Sequence, residues 1–541
     1  MTLPELSPSA APEFSDAEGC KAWLEHVPLA NVAAAQNHLL LQIDEFNRFE
    51  CPAPTRLAVM EALREAVHFV QIEQAKRFSN RAQPMADAER AVFEDTDDLW
   101  EAMRLGYLRC VEAAARGEAA IRSQAALACQ RALAYSGLKM FHHYRAYREV
   151  PSSDWGGLHL VYRIAEKLKV AHEPVKDFMN RDVQDTSPHI AYARALLMAL
   201  SNPNELNQRQ LTFVAYLLER WANKLDILAA PVEEDLGVPP LVADIAGERC
   251  PERLEPGSGT RLAEPRYLDT AKIAKSLRNR VGLLRKGESP AKLALGEDCV
   301  QPTCEQLLVF LYRQWCQAKP ARSMERRRAA TVAEVCSELP AIHYYLSGRA
   351  FRQPDQQKEL SQKQRDEIAT FGRVSTREED DYSEAQGYLL ERWHIEDESA
   401  QGIRIVRRAS DPGRRFSHGQ LFAVRPADAK SYLLGQVRWL MAARNGDLHA
   451  GVKILAGLPA PASARQTGVN VQVDKFVPVL TLGAVQALSA APTLVLPLGW
   501  YKPGRVIELH TAAAGFARVK LTELVERGTD FERVAYEAGA Q

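Results

Sequence analysis

The stretch "WHIEDESAQGIRI", residues 393–405, decides how the C-terminal half of the chain is interpreted. Its two ends alternate like a strand, but Asp397, Ser399 and Gly402 place a carboxylate, a hydroxyl and a glycine at the first, third and sixth positions of its middle. A carboxylate accepts hydrogen bonds from a guanine-type edge, a hydroxyl donates to a phosphate or a base, and a glycine lets a ligand approach the backbone. The stretch therefore predicts a bent strand that binds a flat, polar ligand. The alternative is an Asx-type turn that caps a β-bulge.

The residues on both sides of this motif predict short strands. "TVAEVCS" at 331–337 and "YLLGQVRWLM" at 432–441 are rich in β-formers, and Asn445-Gly446 is a strong signal for a tight hairpin. A polar segment at about 352–387 has the composition of a mobile insertion. These features predict a small barrel over residues 319–459.

Two other regions flank the predicted barrel. Residues 1–318 carry apolar stripes at three- and four-residue steps and predict an all-helical region, either a helical bundle or a short solenoid. One such stripe consists of Leu57, Met60, Leu63, Val67 and Val70. Within this region, the Pro- and Gly-rich stretch at 230–266 predicts a long loop. Residues 460–541 contain further strand-like runs and predict a second small β unit, so the fold class is multi-domain α + β.

The motif and the hairpin together resemble the PilZ family of cyclic di-GMP receptor barrels. The family signature is an RxxxR segment followed by [D/N]xSxxG, and residues 397–402 fit its second half. The later "GQVRWLM" and "LHAGVKIL" are similar to the family's last hairpin. The resemblance covers roughly residues 320–458 and implies a β-barrel that binds cyclic di-GMP. It also implies that the Arg residues of the first half clamp phosphates and guanine edges.

The Arg half of the signature has more than one match. Arg322, Arg326 and Arg327 precede "TVAEVCS", which is suitable as the first barrel strand. Arg373 and Arg377 have the usual spacing to the motif, but an acidic run follows them directly, and such a run is poor material for a strand. We therefore favour the first segment and keep the second as the alternative. The predicted ligand-binding residues are Arg322, Arg326, Arg327, Asp397, Ser399 and Gly402, with Arg373 and Arg377 in reserve.

The composition excludes several classes of protein. The formal net charge of the 541 residues is −1, so the basic excess of a general nucleic-acid binder is missing. Residues 476–501 carry no charge, but three prolines interrupt them, which predicts buried strands rather than a membrane span. Nine scattered Cys without a CxxC predict buried thiols, no disulfide framework and a reducing compartment; we interpret Cys299 and Cys304 in this way rather than as zinc ligands.

The resemblance to the PilZ family implies a bacterial, cytoplasmic signalling effector. In this hypothesis the barrel binds cyclic di-GMP, and the helical region interacts with an unidentified protein partner. We expect no cofactor, no metal and no enzymatic activity, because the common catalytic motifs are missing from the sequence. One alternative is a helical interaction scaffold with a degenerate barrel that no longer binds nucleotide. Another is an enzyme of unrecognised type within the helical region.

Overall fold

The computed structural model describes residues 3–231, 240–254, 261–296, 299–317, 327–354, 383, 385–399, 401–467 and 475–538, with the backbone alone at 327–330 and 488. The chain divides into two compact units. The helical unit is Met1–Arg81 with Met85–Ser323, and the barrel unit is Ala82–Pro84 with Met324–Gln541. Ala82–Pro84 belongs to the barrel unit, where the Gln83 backbone exchanges two hydrogen bonds of 2.7 Å with Phe416.

The helical unit is built from amphipathic helices around one core. The predicted stripe from Leu57 to Val70 is buried along α3, with at most 1% of any of its side chains exposed. Asn31 and Asn207 cap α2 and α8 by accepting hydrogen bonds from backbone N–H groups of the first turn. The helices are α1 (Ala17–Leu24), α2 (Val32–Arg48), α3 (Ala53–Ala75), α4 (Asp87–Ala115), α5 (Ala125–Arg145), α6 (Ser152–Lys167), α7 (Pro188–Leu200), α8 (Gln208–Trp221), α9 (Ala271–Arg285) and α10 (Thr303–Cys316).

The prediction that this region is all-helical is incomplete. It also carries a two-stranded sheet, β1 (Val175–Lys176) with β2 (Asp185–Thr186), and a four-stranded sheet in the order β3-β6-β4-β5. The prediction of a long loop at 230–266 is wrong where this second sheet forms. Its strands are two to five residues long, too short for a visible alternation of side chains. They are β3 (Asp226–Leu228), β4 (Leu241–Asp244), β5 (Glu252–Arg253) and β6 (Pro265–Asp269).

The first barrel of the other unit closes in the order β10-β11-β12-β9-β8-β7. "TVAEVCS" lies in its first strand, and Asn445-Gly446 forms the predicted hairpin turn, where Gly446 has a φ of +88° that a glycine adopts without strain. Most of the predicted insertion, 355–382 and 384, lies outside the described residues. The elements are β7 (Arg327–Ser337), α11 (Leu339–Ser347), β8 (Glu391–Ser399), β9 (Gly402–Arg407), β10 (Leu421–Pro426), β11 (Leu433–Ala442) and β12 (Leu448–Ile454).

The second barrel closes in the order β13-β14-β15-β18-β17-β16. Two of its strands come from the uncharged stretch 476–501, as predicted, and no helix of the described residues is long and apolar enough to cross a membrane. The multi-domain α + β fold class, helices followed by two β units, is confirmed. The strands are β13 (Pro459–Gln466), β14 (Val477–Leu482), β15 (Thr493–Pro497), β16 (Val506–Thr511), β17 (Gly515–Arg527) and β18 (Phe531–Ala538).

The two cysteines considered above as thiols are joined. Cys299 and Cys304 form a disulfide, with their Cα atoms 5.1 Å apart. The interpretation of these two residues as free thiols is therefore wrong. The turn that starts α10 brings them together, since the Cys304 N–H donates to the Val300 carbonyl oxygen at 2.9 Å. Among the described residues no group of three or more His, Cys, Asp or Glu side chains is arranged to hold a metal ion.

An ion pair lies inside the first barrel. Arg407 donates to Glu391 Oε2 at 2.8 Å, and both side chains are at most 4% exposed. The same carboxylate accepts from the Trp393 indole N–H at 3.0 Å and from the Arg414 backbone N–H at 2.7 Å. The guanidinium of Arg407 also lies 5.4 Å from the ring centre of Trp393. The carboxylate and the guanidinium thereby compensate each other within an apolar interior.

This pair gives a test of the barrel core. Glu391→Ala leaves the Arg407 charge buried without its partner, so we expect the barrel to lose about 3–5 kcal/mol of unfolding free energy. The matched control is Glu396→Ala on the same strand, because Glu396 pairs with Arg404 at a position where both side chains are 39% exposed. The control should lose about 1 kcal/mol at most. Urea unfolding with hydrogen-exchange readout of the barrel peptides measures both, and equal losses would refute the assignment.

Candidate functional site

The motif forms a hairpin rather than a single bent strand. β8 ends at Ser399 and β9 begins at Gly402, directly opposite it. Ser399 Oγ donates a hydrogen bond of 3.1 Å to the Gly402 carbonyl oxygen and so fastens the turn. Before the turn, the register shifts between Ile395 and Asp397, which leaves Glu396 as a β-bulge. The polar residues thus interrupt the strand where the chain bulges and then reverses.

The first strand of the barrel starts beside this hairpin. Arg327 lies opposite Glu398, and Arg328 lies opposite Asp397, across β7 and β8. Arg322 and Arg326 lie outside the described residues, as do Arg373 and Arg377. The pairing nevertheless fixes where the favoured Arg segment joins the barrel, because Arg326 is covalently bonded to Arg327. The end of that segment is one β-ladder step from the carboxylate of the motif.

Asp397 and Arg404 lie opposite each other on the outer face of the barrel. Ile403 and Ile405 belong to the barrel core, so Arg404 between them points the other way. Directly opposite residues of an antiparallel pair share a face, which places Asp397 outside as well. The outer face beside the motif therefore presents a carboxylate next to a guanidinium.

An aromatic ring extends this outer surface. Trp439 on β11 lies opposite Gly451, which in turn lies opposite Arg404. The indole covers Gly451 so closely that a Cβ there would lie 1.8 Å from the Trp439 Nε1. The Arg404 guanidinium is 5.8 Å from the ring centre of Trp439, and its Nε lies 2.6 Å from Glu396 Oε2. Asp397, Arg404 and Trp439 together form what we call the outer patch.

Sequence reasoning missed two members of the outer patch. Trp439 lies in the "GQVRWLM" hairpin signal, which carries no predicted site role, and Arg404 follows the motif, where the family signature has no Arg. Only the pairing register of the strands shows that Arg404 and Trp439 lie on the outer face. A bulge between Val437 and Trp439 places the valine in the core and the tryptophan outside, although they are two residues apart.

Gly402 is required by a neighbouring strand. A Cβ at this position would lie 2.9 Å from the Val452 carbonyl oxygen of β12, closer than real Cβ contacts occur. From the sequence, this glycine is predicted to let a ligand approach the backbone. In the structure Gly402 allows the close approach of β12. The same strand supplies Gly451, which lies beneath Trp439. The glycine therefore sets how closely the hairpin approaches β12, the strand on which Trp439 packs.

Comparison with known proteins matches both ends of the chain to described domains. Residues 18–232 match the family model of the cyclic-di-GMP receptor FimW, N-terminal domain, and residues 462–539 match that of the FimW C-terminal beta-barrel domain. The second segment coincides with the second barrel. A curated protein of Pseudomonas aeruginosa, the cyclic-di-GMP receptor FimW, is 23% identical over 537 residues, which cover 92% of this chain and 87% of that protein.

Gly402 provides a test of the strand geometry. Gly402→Ala forces a methyl group against the Val452 carbonyl, so we expect a loss of about 1–3 kcal/mol in barrel stability, the usual cost of overpacking. Gly483→Ala is the control, since a Cβ at Gly483 meets nothing within 4 Å. It should change stability by about 0.5 kcal/mol or less. Thermal unfolding of the two purified variants gives the comparison, and equal stability would show that β12 yields without cost.

Proposed function

We propose that this chain is a bacterial signalling receptor that binds cyclic di-GMP on the outer face of its first, PilZ-like barrel. The observation that supports this most directly is the pairing of Arg328 with Asp397, which brings the end of an Arg-rich segment to the second half of the PilZ signature. The curated relative, which is named a receptor for this nucleotide, aligns with 92% of the chain and gives independent support.

Each residue type of the signature has a defined role in this proposal. Arg322, Arg326 and Arg327 clamp the phosphates and the guanine edges, because a guanidinium is planar, permanently charged and able to donate two parallel hydrogen bonds. Asp397 accepts hydrogen bonds from a guanine edge. Ser399 and Gly402 hold the hairpin in the shape that aims this carboxylate outward.

The outer patch adds a stacking surface. Guanine bases stack on aromatic rings and on guanidinium planes, and Trp439 and Arg404 offer one of each. Both lie on the same face as Asp397, so a base stacked on them keeps its edge near the carboxylate. We assign one guanine of the ligand to this surface. The tryptophan also supplies an intrinsic fluorescence signal for binding.

The helical unit has the output role in this proposal. It passes the binding signal to an unidentified protein partner, and the chain acts as a receptor in the bacterial cytoplasm, with no cofactor or metal. A ligand shifts a conformational equilibrium only through contacts that differ between the two states. The Arg segment is the natural place for such contacts, since it follows α10 in the chain and joins the first barrel at Arg327.

The nucleotide-binding role is tested by calorimetric titration of the full chain with cyclic di-GMP. We expect Asp397→Ala to weaken binding by about 1.5–3 kcal/mol, the range for hydrogen bonds to charged groups. Asp411→Ala is the control, because Asp411 follows the opposite end of β9 from the motif. It should bind like the wild type. A wild-type chain that does not bind would instead favour the scaffold with a degenerate barrel.

A second titration decides between the two Arg segments. Arg326→Ala should weaken binding by about 1.5–3 kcal/mol, because it removes a charged donor from the phosphates. Arg373→Ala is the matched change in the alternative segment and should leave the affinity as it is. The reverse result would move the site to Arg373 and Arg377. An affinity unchanged in both variants would contradict the Arg assignment altogether.

A further inference from the structure

A buried acid of the second barrel lies at the edge of this site. Glu526 on β17 has only 11% of its side chain exposed, and its Oε1 accepts from Lys453 Nζ of the first barrel at 3.0 Å. Arg438 of the first barrel approaches the same oxygen to 4.0 Å. The other oxygen, Oε2, is buried and accepts no hydrogen bond in the described part of the chain. A carboxylate in this position depends on the two cations for its compensation.

Lys453 stands next to the motif. It lies opposite Gly402 across β12 and β9, and Gly402 lies opposite Ser399 across β9 and β8. A Cβ on Gly402 would be 3.9 Å from the Lys453 Cα. On its other side Lys453 lies opposite Gln436, whose amide donates to the Arg527 carbonyl oxygen of the second barrel at 3.4 Å. One row of outer-face residues therefore runs from the motif to the second barrel.

The charged side chains at the junction of the two barrels differ in how freely they can move. Lys453 and Arg438 are 51% and 53% exposed, whereas Glu526 is fixed by burial. A lysine ammonium on a four-carbon stem reorients readily, and it forms ion pairs with carboxylates as well as with phosphodiesters. When Lys453 leaves, Arg438 remains to compensate Glu526. Exchange of the lysine between two anions is therefore the motion that this arrangement permits.

From this geometry we infer that Lys453 is a further ligand for a phosphodiester of the bound nucleotide and that Glu526 competes for it. The inference rests on the proposed function, since it concerns the same ligand. In the free chain Glu526 holds the ammonium, and in the bound chain the phosphate takes it. Binding therefore breaks an ion pair between the two barrels and changes their junction.

Titration of the full chain with cyclic di-GMP in a double-mutant cycle tests this competition. Glu526→Gln removes the competitor and should tighten binding by about fivefold, the effect of a half-exposed ion pair. Lys453→Gln should weaken binding by about fivefold for the same reason. In the Lys453→Gln background, Glu526→Gln should then have no effect, because no ammonium is left to release. Lys453→Arg should keep most of the wild-type affinity.

The control is Glu508→Gln, which removes a carboxylate from another ion pair of the second barrel, with Arg465 at 2.6 Å. It should leave the affinity unchanged, and melting curves of all variants verify folding. If Glu526→Gln changes the affinity equally in the wild type and in the Lys453→Gln variant, the change comes from long-range electrostatics and not from competition for Lys453. That result would overturn the inference. If neither single variant changes the affinity, the ion pair only connects the two barrels and has no part in nucleotide binding. That result would also overturn the inference. If the wild-type chain does not bind cyclic di-GMP, the proposed function itself is wrong.

Discussion

Closure of the first barrel is the constraint on which the rest of the site depends. β7 must pair with β8 on one side and with β10 on the other, and the register of the first pairing puts Arg328 opposite Asp397. A strand slipped by one residue would exchange its inner and outer faces, and Val335 of the core would then point to solvent. The buried core thus fixes the register, and the register brings Arg327 and Arg328 opposite the motif.

Local sequence patterns predicted the features that local chemistry determines. "TVAEVCS", the Asn445-Gly446 turn and the strands of 476–501 follow from β-propensity and turn geometry, and all three form as expected. The bulges at Glu396 and before Trp439 could not be predicted, because they depend on pairing with distant strands. The outer patch follows from these bulges, so the motif residues could be named from the sequence but not their neighbours. The short sheet of β3–β6 was missed because its strands are only two to five residues long.

The second barrel packs against the first through an apolar cluster, and two acidic residues, Asp530 and Glu526, lie beside this cluster. Leu421 and Leu434 of the first barrel meet Leu480 and Phe531 of the second with no exposed surface. Beside them Asp530 accepts from the Leu421 backbone N–H at 2.8 Å, and burial raises the pKa of its carboxyl to about 6. Glu526 lies four residues earlier and is compensated by cations rather than by a backbone donor. The junction is thus held by apolar contacts, while its charged edge faces the site.

Overall charge and local charge lead to different conclusions for this chain. A net charge of −1 argues against long polyanions, whose binding grows with the number of neutralised phosphates. A cyclic dinucleotide carries only two phosphates, so a few cations on one face suffice. Arg404, Arg438 and Lys453 form such a face at the proposed site, and their carboxylate partners are Glu396 and Glu526. Because each cation already has a carboxylate partner, binding replaces one ion pair by another. The binding free energy from each cation is then only the difference between the two ion pairs. In the proposed function, discrimination among anions then comes from the Arg segment and from the shape of the hairpin that Gly402 and Ser399 fix.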